Sequence, residues 1–185
     1  MSRQFWAETL TWSTADGTAV ANSTTETGIW PNVTIPANYL QDGRTLRIRF
    51  FGKHSTTGTP TLTFRVRLGG VAGTLIVASG AITCGSAVTN ALFDGEALMT
   101  VRSNGSSGTI MGNGVARVHS ATAPTVGSAT GAPGIGPMTA GGQTAPATAT
   151  VDLTADQSLT ISAQWSAASA SNTLTGLNLI IESLN

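Results

Sequence analysis

The chain has 185 residues, of which 41% are hydrophobic and only 10% are charged, and its formal net charge is zero. This composition excludes an intrinsically disordered chain, because disorder requires few apolar residues and an excess of charge. The zero net charge also argues against a general attraction to nucleic acid or to an anionic membrane.

Apolar and polar residues alternate with a period of two along the patterned segments, and no window keeps the spacing of an amphipathic helix. The sequence therefore predicts an all-β chain whose strands are separated by turn residues. In chain order, the predicted strands are 10–13, 19–22, 28–35, 44–51, 61–68, 74–79, 92–103, 108–118, 147–153, 158–166 and 173–182. One helical turn is expected over 36–40, because Pro36 offers a start and Gly43 a stop.

So many short strands in one domain would leave exposed sheet edges unless they close into a barrel or pack as two sheets. We therefore expect an antiparallel two-sheet jelly-roll sandwich over residues 28–185.

Residues 1–27 are expected to form an extended N-terminal arm, because they hold too few apolar residues for a core. Residues 119–146 contain four of the seven prolines and many glycines. They are expected to form a long Gly/Pro/Ala-rich loop inserted in the domain.

Two predicted strands carry arginines at alternate positions. Arg47 and Arg49 alternate with apolar residues in TLRIRFFG (45–52), and Arg65 and Arg67 do so in TLTFRVRLGG (61–70). Paired as one hairpin, these strands would set four like charges side by side, which is unfavourable. Consecutive strands of a jelly roll usually cross between the sheets, so we expect the two rows on opposite outer faces. Their expected partners are backbone carbonyls, carboxylates of a neighbouring subunit, or Glu182, Asp94 and Glu96.

The chain offers little for catalysis. Its only histidines, His54 and His119, lie in or beside predicted loops, without the partners of a metal site or a Ser-His-Asp triad. Asp94 and Glu96 lie two residues apart on one predicted strand and so share a face. This arrangement is more typical of a solvated face than of paired catalytic carboxylates. Cys84 is the only cysteine and is expected to be buried. We therefore expect no enzyme, no cofactor and no metal.

Other partner classes are also disfavoured by the sequence. Arg65 and Arg67 share their strand face with threonines rather than with stacking aromatic residues, so nucleic acid is not expected as a partner. No apolar run is long enough for a signal peptide or a membrane span, and we expect cytoplasmic synthesis and no membrane contact. Trp165 keeps the parity of Leu159 and Ile161 and is expected in the core.

Four segments resemble small all-β virion proteins of tailed bacteriophages. They are VTIPANYLQDGRTLRIRFFGKHSTT (33–57), TPTLTFRVRLGG (59–70), GEALMTVRSNGSSGT (95–109) and LTISAQWSAASASNTLTGLNLIIESLN (159–185). The resemblance covers roughly 30–185 and leaves residues 1–29 outside. Such proteins are similar to jelly-roll capsid decoration, or cement, proteins and to jelly-roll modules of tails and fibres. They are commonly homotrimers without catalytic residues.

The resemblance implies a structural virion protein that assembles in the host cytoplasm and lies on the capsid exterior. There a homotrimer would bind the major capsid protein and stabilise the head. A tail, baseplate or fibre component is the alternative, and only in that role would a host glycan be bound as a receptor.

Partner contacts are expected at exposed aromatic and apolar residues, since interfaces favour such anchors. The expected anchors are Phe5, Trp6, Trp12, Pro133, Ile135 and Met138. Polar contacts on the outer faces are expected at Arg47, Arg49, Arg65 and Arg67.

Overall fold

The computed structural model describes residues 7–120, 134–142 and 145–185. These residues form one antiparallel sheet of 14 strands and contain no helix. The strands are β1 Glu8–Trp12, β2 Val20–Ala21, β3 Thr27–Gly28, β4 Val33–Ile35, β5 Thr45–Ser55, β6 Thr61–Leu68, β7 Thr74–Ser79, β8 Ile82–Thr83, β9 Ala91–Ser103, β10 Gly108–Val118, β11 Gly134–Ala140, β12 Ala149–Val151, β13 Gln157–Trp165 and β14 Thr173–Ser183.

The alternation in the sequence accounts for most of these strands, and the predicted all-β class is confirmed. β6, β7 and β10 have the predicted bounds, the other predicted strands differ at their ends, and 28–35 divides into β3 and β4. β8 and β11 were not predicted. β11 lies within 119–146, which was expected to be a loop. The prediction of a helical turn over 36–40 is wrong, because Asn38 has a φ of 59°, outside the right-handed helical range.

The sheet order separates the two arginine-bearing strands. Along the sheet the strands follow the order β1-β14-β5-β9-β10-β11-β7-β6-β13-β3. β5 pairs with β14 and β9, whereas β6 pairs with β7 and β13, so β5 and β6 are not neighbours. We call β1, β14, β5, β9 and β10 the first half of the sheet, and β7, β6, β13, β3 and β4 the second half.

The segment expected as an N-terminal arm contributes strands to both halves. β1 and β2 pair with β14, and β3 pairs with β13. From residue 8 onwards this segment is therefore hydrogen-bonded to the sheet, and it supplies the edge strand of the first half.

Aromatic rings bring the two halves together. The ring of Phe64 on β6 stacks on that of Phe93 on β9, with centroids 5.1 Å apart, and lies 5.5 Å from the ring of Phe50 on β5. All three side chains are buried, as is Trp165, which was expected in the core. Because β6 is bonded to neither β5 nor β9, the sheet must curve until its halves face each other across this core.

Two glycines make room for these rings. Gly95 pairs with Phe50, and Gly52 pairs with Phe93, in the β5–β9 ladder. A Cβ atom on Gly95 would lie 2.2 Å from the Phe50 ring, and one on Gly52 would lie 2.5 Å from the Phe93 ring. Each ring therefore lies over a strand position that only glycine leaves open.

Candidate binding surfaces

The arginines of the second half share one carboxylate. Arg67 donates from Nε to Glu26 Oε1 at 2.7 Å and from Nη2 to Oε2 at 2.9 Å, and Arg65 Nη1 lies 3.4 Å from Oε2. Ser162 also donates a hydrogen bond to Glu26, and Arg67 donates another to the Gly73 carbonyl. The three charged side chains are only 15–19% exposed.

This cluster holds its carboxylate in the ionised form. Burial alone would raise the pKa of Glu26, but hydrogen bonds from Arg67 and Ser162, together with the charges of both arginines, hold the pKa below its ordinary value. Arg65 and Arg67 therefore join the N-terminal segment to β6. The carboxylates expected as partners were Glu182, Asp94 and Glu96, and the one signal in the sequence that favoured Glu26 was its position next to the start of β3.

The arginines of β5 pair on the outer face of the first half, the face turned away from the core. Arg47 donates to Glu182, one of its expected partners, at 2.9 Å. Arg49 Nε lies 3.6 Å from Glu96 Oε2, which is an ion pair too long for a hydrogen bond. Both side chains of this second pair are about half exposed, at 56% and 47%.

A groove with a volume of about 480 Å³ crosses this outer face. The strand registers arrange its side chains in two rows, with Ile180, Arg49, Glu96 and Val115 in one row and Asn178, Phe51, Asp94 and Arg117 in the next. Each row thus crosses four strands of the first half, and each contains one arginine and one carboxylate.

Exposed apolar residues continue these rows beyond the groove. In the part of the chain that the structure describes, the large hydrophobic residues that are exposed are Trp12, Ile135 and Phe51, at 62%, 62% and 39%. Trp12 pairs with Ile180, and Ile135 pairs with Arg117. Since directly paired residues point to the same side of a sheet, all three lie on the same outer face.

A cleft of about 420 Å³ opens where β1 ends at the sheet edge. Its lining combines apolar residues, among them Leu10, Trp12 and Trp30, with polar ones, among them Thr11, Asp16 and Asn32. Trp12 therefore lies between this cleft of mixed polarity and the outer face.

The remaining expected anchors divide into two groups. Met138 is only 1% exposed and packs in the core, so its side chain is not presented to a partner, contrary to expectation. On β11 the residues alternate, and Met138 has inward parity whereas Ile135 has outward parity. Phe5, Trp6 and Pro133 lie outside the described residues.

The ionisable residues His54, His119, Asp94 and Cys84 differ in burial and in their partners. His54 is buried, and burial, with a smaller contribution from His119, lowers its pKa to about 4. Burial raises the pKa of the Cys84 thiol to about 12. Asp94 is paired with Arg117, and His119 Nε2 lies 3.6 Å from its other oxygen. Over the described ranges, no three His, Cys, Asp or Glu residues are grouped as a metal site would require.

Within residues 7–120, 134–142 and 145–185, no helix has the length and hydropathy needed to cross a bilayer.

Comparisons with known proteins give only remote likenesses. No family model matches the chain, and no curated protein matches it. Among solved structures, the CBM2 module of the evolved Dit of Lactobacillus casei BL23 phage J-1 is 12% identical, with 99% of both chains covered and a TM-score of 0.39. The VP2 subviral particle of infectious bursal disease virus is also 12% identical, with 98% of this chain and 42% of that chain covered and a TM-score of 0.23. Scores this low do not establish a shared fold.

Proposed function

We propose that the protein is a structural component of a tailed-phage virion that binds the lattice of the major capsid protein as a homotrimer and stabilises the head. Four segments that resemble phage virion proteins support this role, as does an all-β fold whose two halves enclose one core. We further propose that these halves correspond to the two sheets of a jelly-roll sandwich. We assign the protein no catalytic activity.

The observation that carries the proposal is the exposure of Trp12 at the edge of the sheet. Trp12 is 62% exposed beside a cleft, and tryptophan is among the residues that dominate binding energy at interfaces. In this proposal Trp12 at the β1 edge contacts the capsid, and Phe5 and Trp6, which lie outside the described residues, are proposed as further anchors. Ile135, at the other end of the outer face, contacts a neighbouring subunit of the trimer.

The mechanism is mechanical. A trimer presents three copies of the same anchor, so after the first contact the second and third contacts are effectively intramolecular. Such a clamp spans adjacent capsid subunits and raises the free energy needed to separate them.

The test measures binding to capsids that lack the protein. Trp12→Ala should reduce cosedimentation with these capsids by about tenfold or more, because truncating an interface tryptophan costs about 2 kcal/mol. Thr9→Ala, an exposed residue on the same strand, is the matched control and should bind normally. Removing 1–27 would not be a clean test, because that segment contains β1, β2 and Glu26, which bond to the rest of the sheet.

Quantifying the protein in purified virions distinguishes the head from the tail. A copy number comparable with that of the major capsid protein is expected for a decoration protein. A copy number comparable with that of tail components would replace this proposal with the alternative of a tail, baseplate or fibre role. Normal capsid binding by Trp12→Ala would show that the anchor is assigned wrongly.

A further inference from the structure

We propose that the groove on the outer face of the first half is a binding site for a neutral oligosaccharide. This inference goes beyond the structural role and holds wherever in the virion the protein is placed. The groove lies between Trp12, which pairs with Ile180, and Ile135, which pairs with Arg117.

The charges of the groove favour a neutral ligand. Its two arginines, Arg49 and Arg117, are matched by two carboxylates, Glu96 and Asp94. A groove that binds phosphate or nucleic acid needs an excess of positive charge, whereas these four groups sum to zero. A strongly anionic ligand would be repelled by the two carboxylates, and a strongly cationic ligand would be repelled by the two arginines.

The hydrogen-bonding groups suit hydroxyl groups in particular. A hydroxyl both donates and accepts, and the groove presents guanidinium donors, carboxylate acceptors, and the amides of Asn113 and Asn178, which do both. The Arg49–Glu96 pair is separated by 3.6 Å, so both groups retain hydrogen-bonding capacity for a ligand.

The backbone directs one of these amides into the groove. The β5–β14 ladder shifts register between Gly176 and Asn178, which marks a bulge in β14. Bulges re-aim side chains and occur often beside binding sites. Here the bulge places Asn178 opposite Phe51, on the outer face, two residues before Ile180.

Apolar side chains complete the site. A sugar ring has an apolar C–H face as well as a rim of hydroxyls, and aromatic rings are suitable contacts for such a face. Phe51, with Ile180 and Val115, provides apolar surface in the groove, and Phe51 is 39% exposed. The volume of about 480 Å³ falls within the range of small-molecule sites, roughly 300–1,000 Å³.

The experiment titrates the full-length protein by calorimetry with four hexasaccharides: maltohexaose, cellohexaose, chitohexaose and an anionic hexasaccharide derived from heparin. Saturable binding of at least one of the three neutral probes is expected. Phe51→Ala and Glu96→Gln should each weaken that binding by about tenfold, because they remove the apolar contact and an ionised acceptor.

Matched controls separate the groove from the rest of the face. Arg49→Gln should weaken binding, whereas Lys53→Gln, which removes the same charge from the same strand outside the groove, should not. Ile135→Ala removes an exposed apolar side chain next to the groove and should also bind normally. Circular dichroism of each variant identifies any that fail to fold.

Three results would overturn the proposal. They are the absence of saturable binding by every neutral probe, preferential binding of the anionic probe, and binding of a neutral probe that is unchanged in Phe51→Ala and Glu96→Gln. None of these results bears on capsid binding, which depends on Trp12, so the two proposals fail independently.

Discussion

At the scale of single residues, burial decides which ionisable groups are charged. His54 is 1% exposed and Cys84 is 2% exposed. Burial lowers the pKa of His54 to about 4 and raises the pKa of Cys84 to about 12. Both side chains are therefore uncharged at neutral pH, and Cys84 holds little of the thiolate form that reacts with electrophiles.

The titration of His54 should make the protein sensitive to acid. The unfolded chain takes up a proton near pH 6.5, whereas the folded chain does so only near pH 4, so the free energy of unfolding falls as the pH falls between these values. A difference of this size corresponds to about 3 kcal/mol. Urea unfolding at a series of pH values should show a steeper loss in the wild type than in His54→Gln, in which Glu26 still contributes a loss at the acid end of the range.

The pKa of His54 is also directly measurable. With only two histidines in the chain, NMR titration resolves both imidazoles. A value for His54 at or above its ordinary 6.5 would contradict the assignment of a buried neutral ring.

At the scale of elements, the contact between β5 and β9 depends on glycine as much as on phenylalanine. Phe50 lies over Gly95, and Phe93 lies over Gly52, so the two ladder pairs repeat one arrangement with the partners exchanged. Each strand carries a phenylalanine and, two residues later, a glycine, namely Phe50 and Gly52 on β5 and Phe93 and Gly95 on β9. Neither strand alone reveals that the ring on one meets the glycine on the other.

Gly95→Ala should therefore lower the free energy of unfolding by about 2 kcal/mol, because the new methyl group displaces the Phe50 ring in a packed core. Gly80→Ala is the matched control, since a Cβ there meets nothing within 4 Å. The control should be neutral or slightly stabilising. Equal urea midpoints for the two variants would show that the core accommodates the extra methyl group.

A second connection between elements is the carboxylate shared by Arg65 and Arg67. Glu26→Gln should cost about 2 kcal/mol, because it leaves two largely buried arginines without their counter-charge. Glu96→Gln makes the same chemical change in an exposed pair and should cost less than about 1 kcal/mol. Chemical denaturation of both variants tests the difference, and similar losses would mean that the Glu26 cluster contributes no more than a surface pair.

At the scale of the whole molecule, stability depends on the contact between the two halves of the sheet. Phe64 is the residue of β6 that contacts rings from β5 and β9. The Phe64 side chain is fully buried. Phe51 lies on the outer face of β5, on the opposite side of that strand from Phe50, and is 39% exposed.

We expect Phe64→Ala to lower the free energy of unfolding by about 4 kcal/mol, since it leaves a cavity between the halves. Phe51→Ala removes the same atoms from the outer face and should cost about 1 kcal/mol or less. Both are measured by urea unfolding at neutral pH. If Phe64→Ala were as mild as Phe51→Ala, the two halves would not depend on this contact.

The sequence alone determined most of the strands and which residues share a side within each of them. Alternation is a local property with the period of the pleat, so it predicted β6, β7 and β10 with their bounds, and it put all four arginines on the parity opposite to the buried residues of their strands. It failed at β11, where proline and glycine obscure the pattern, and for that reason Met138 was expected at the surface.

Only the tertiary structure decided which strands are neighbours and therefore which side chains meet. Glu26 meets Arg65 and Arg67 across about 40 residues of chain, and the groove combines β5, β9, β10 and β14. Hydrogen bonding between strands is almost the same for every residue type, so local sequence does not specify the partner of a strand. That choice comes from packing the whole core, where rings such as Phe64 fit against only one arrangement of strands.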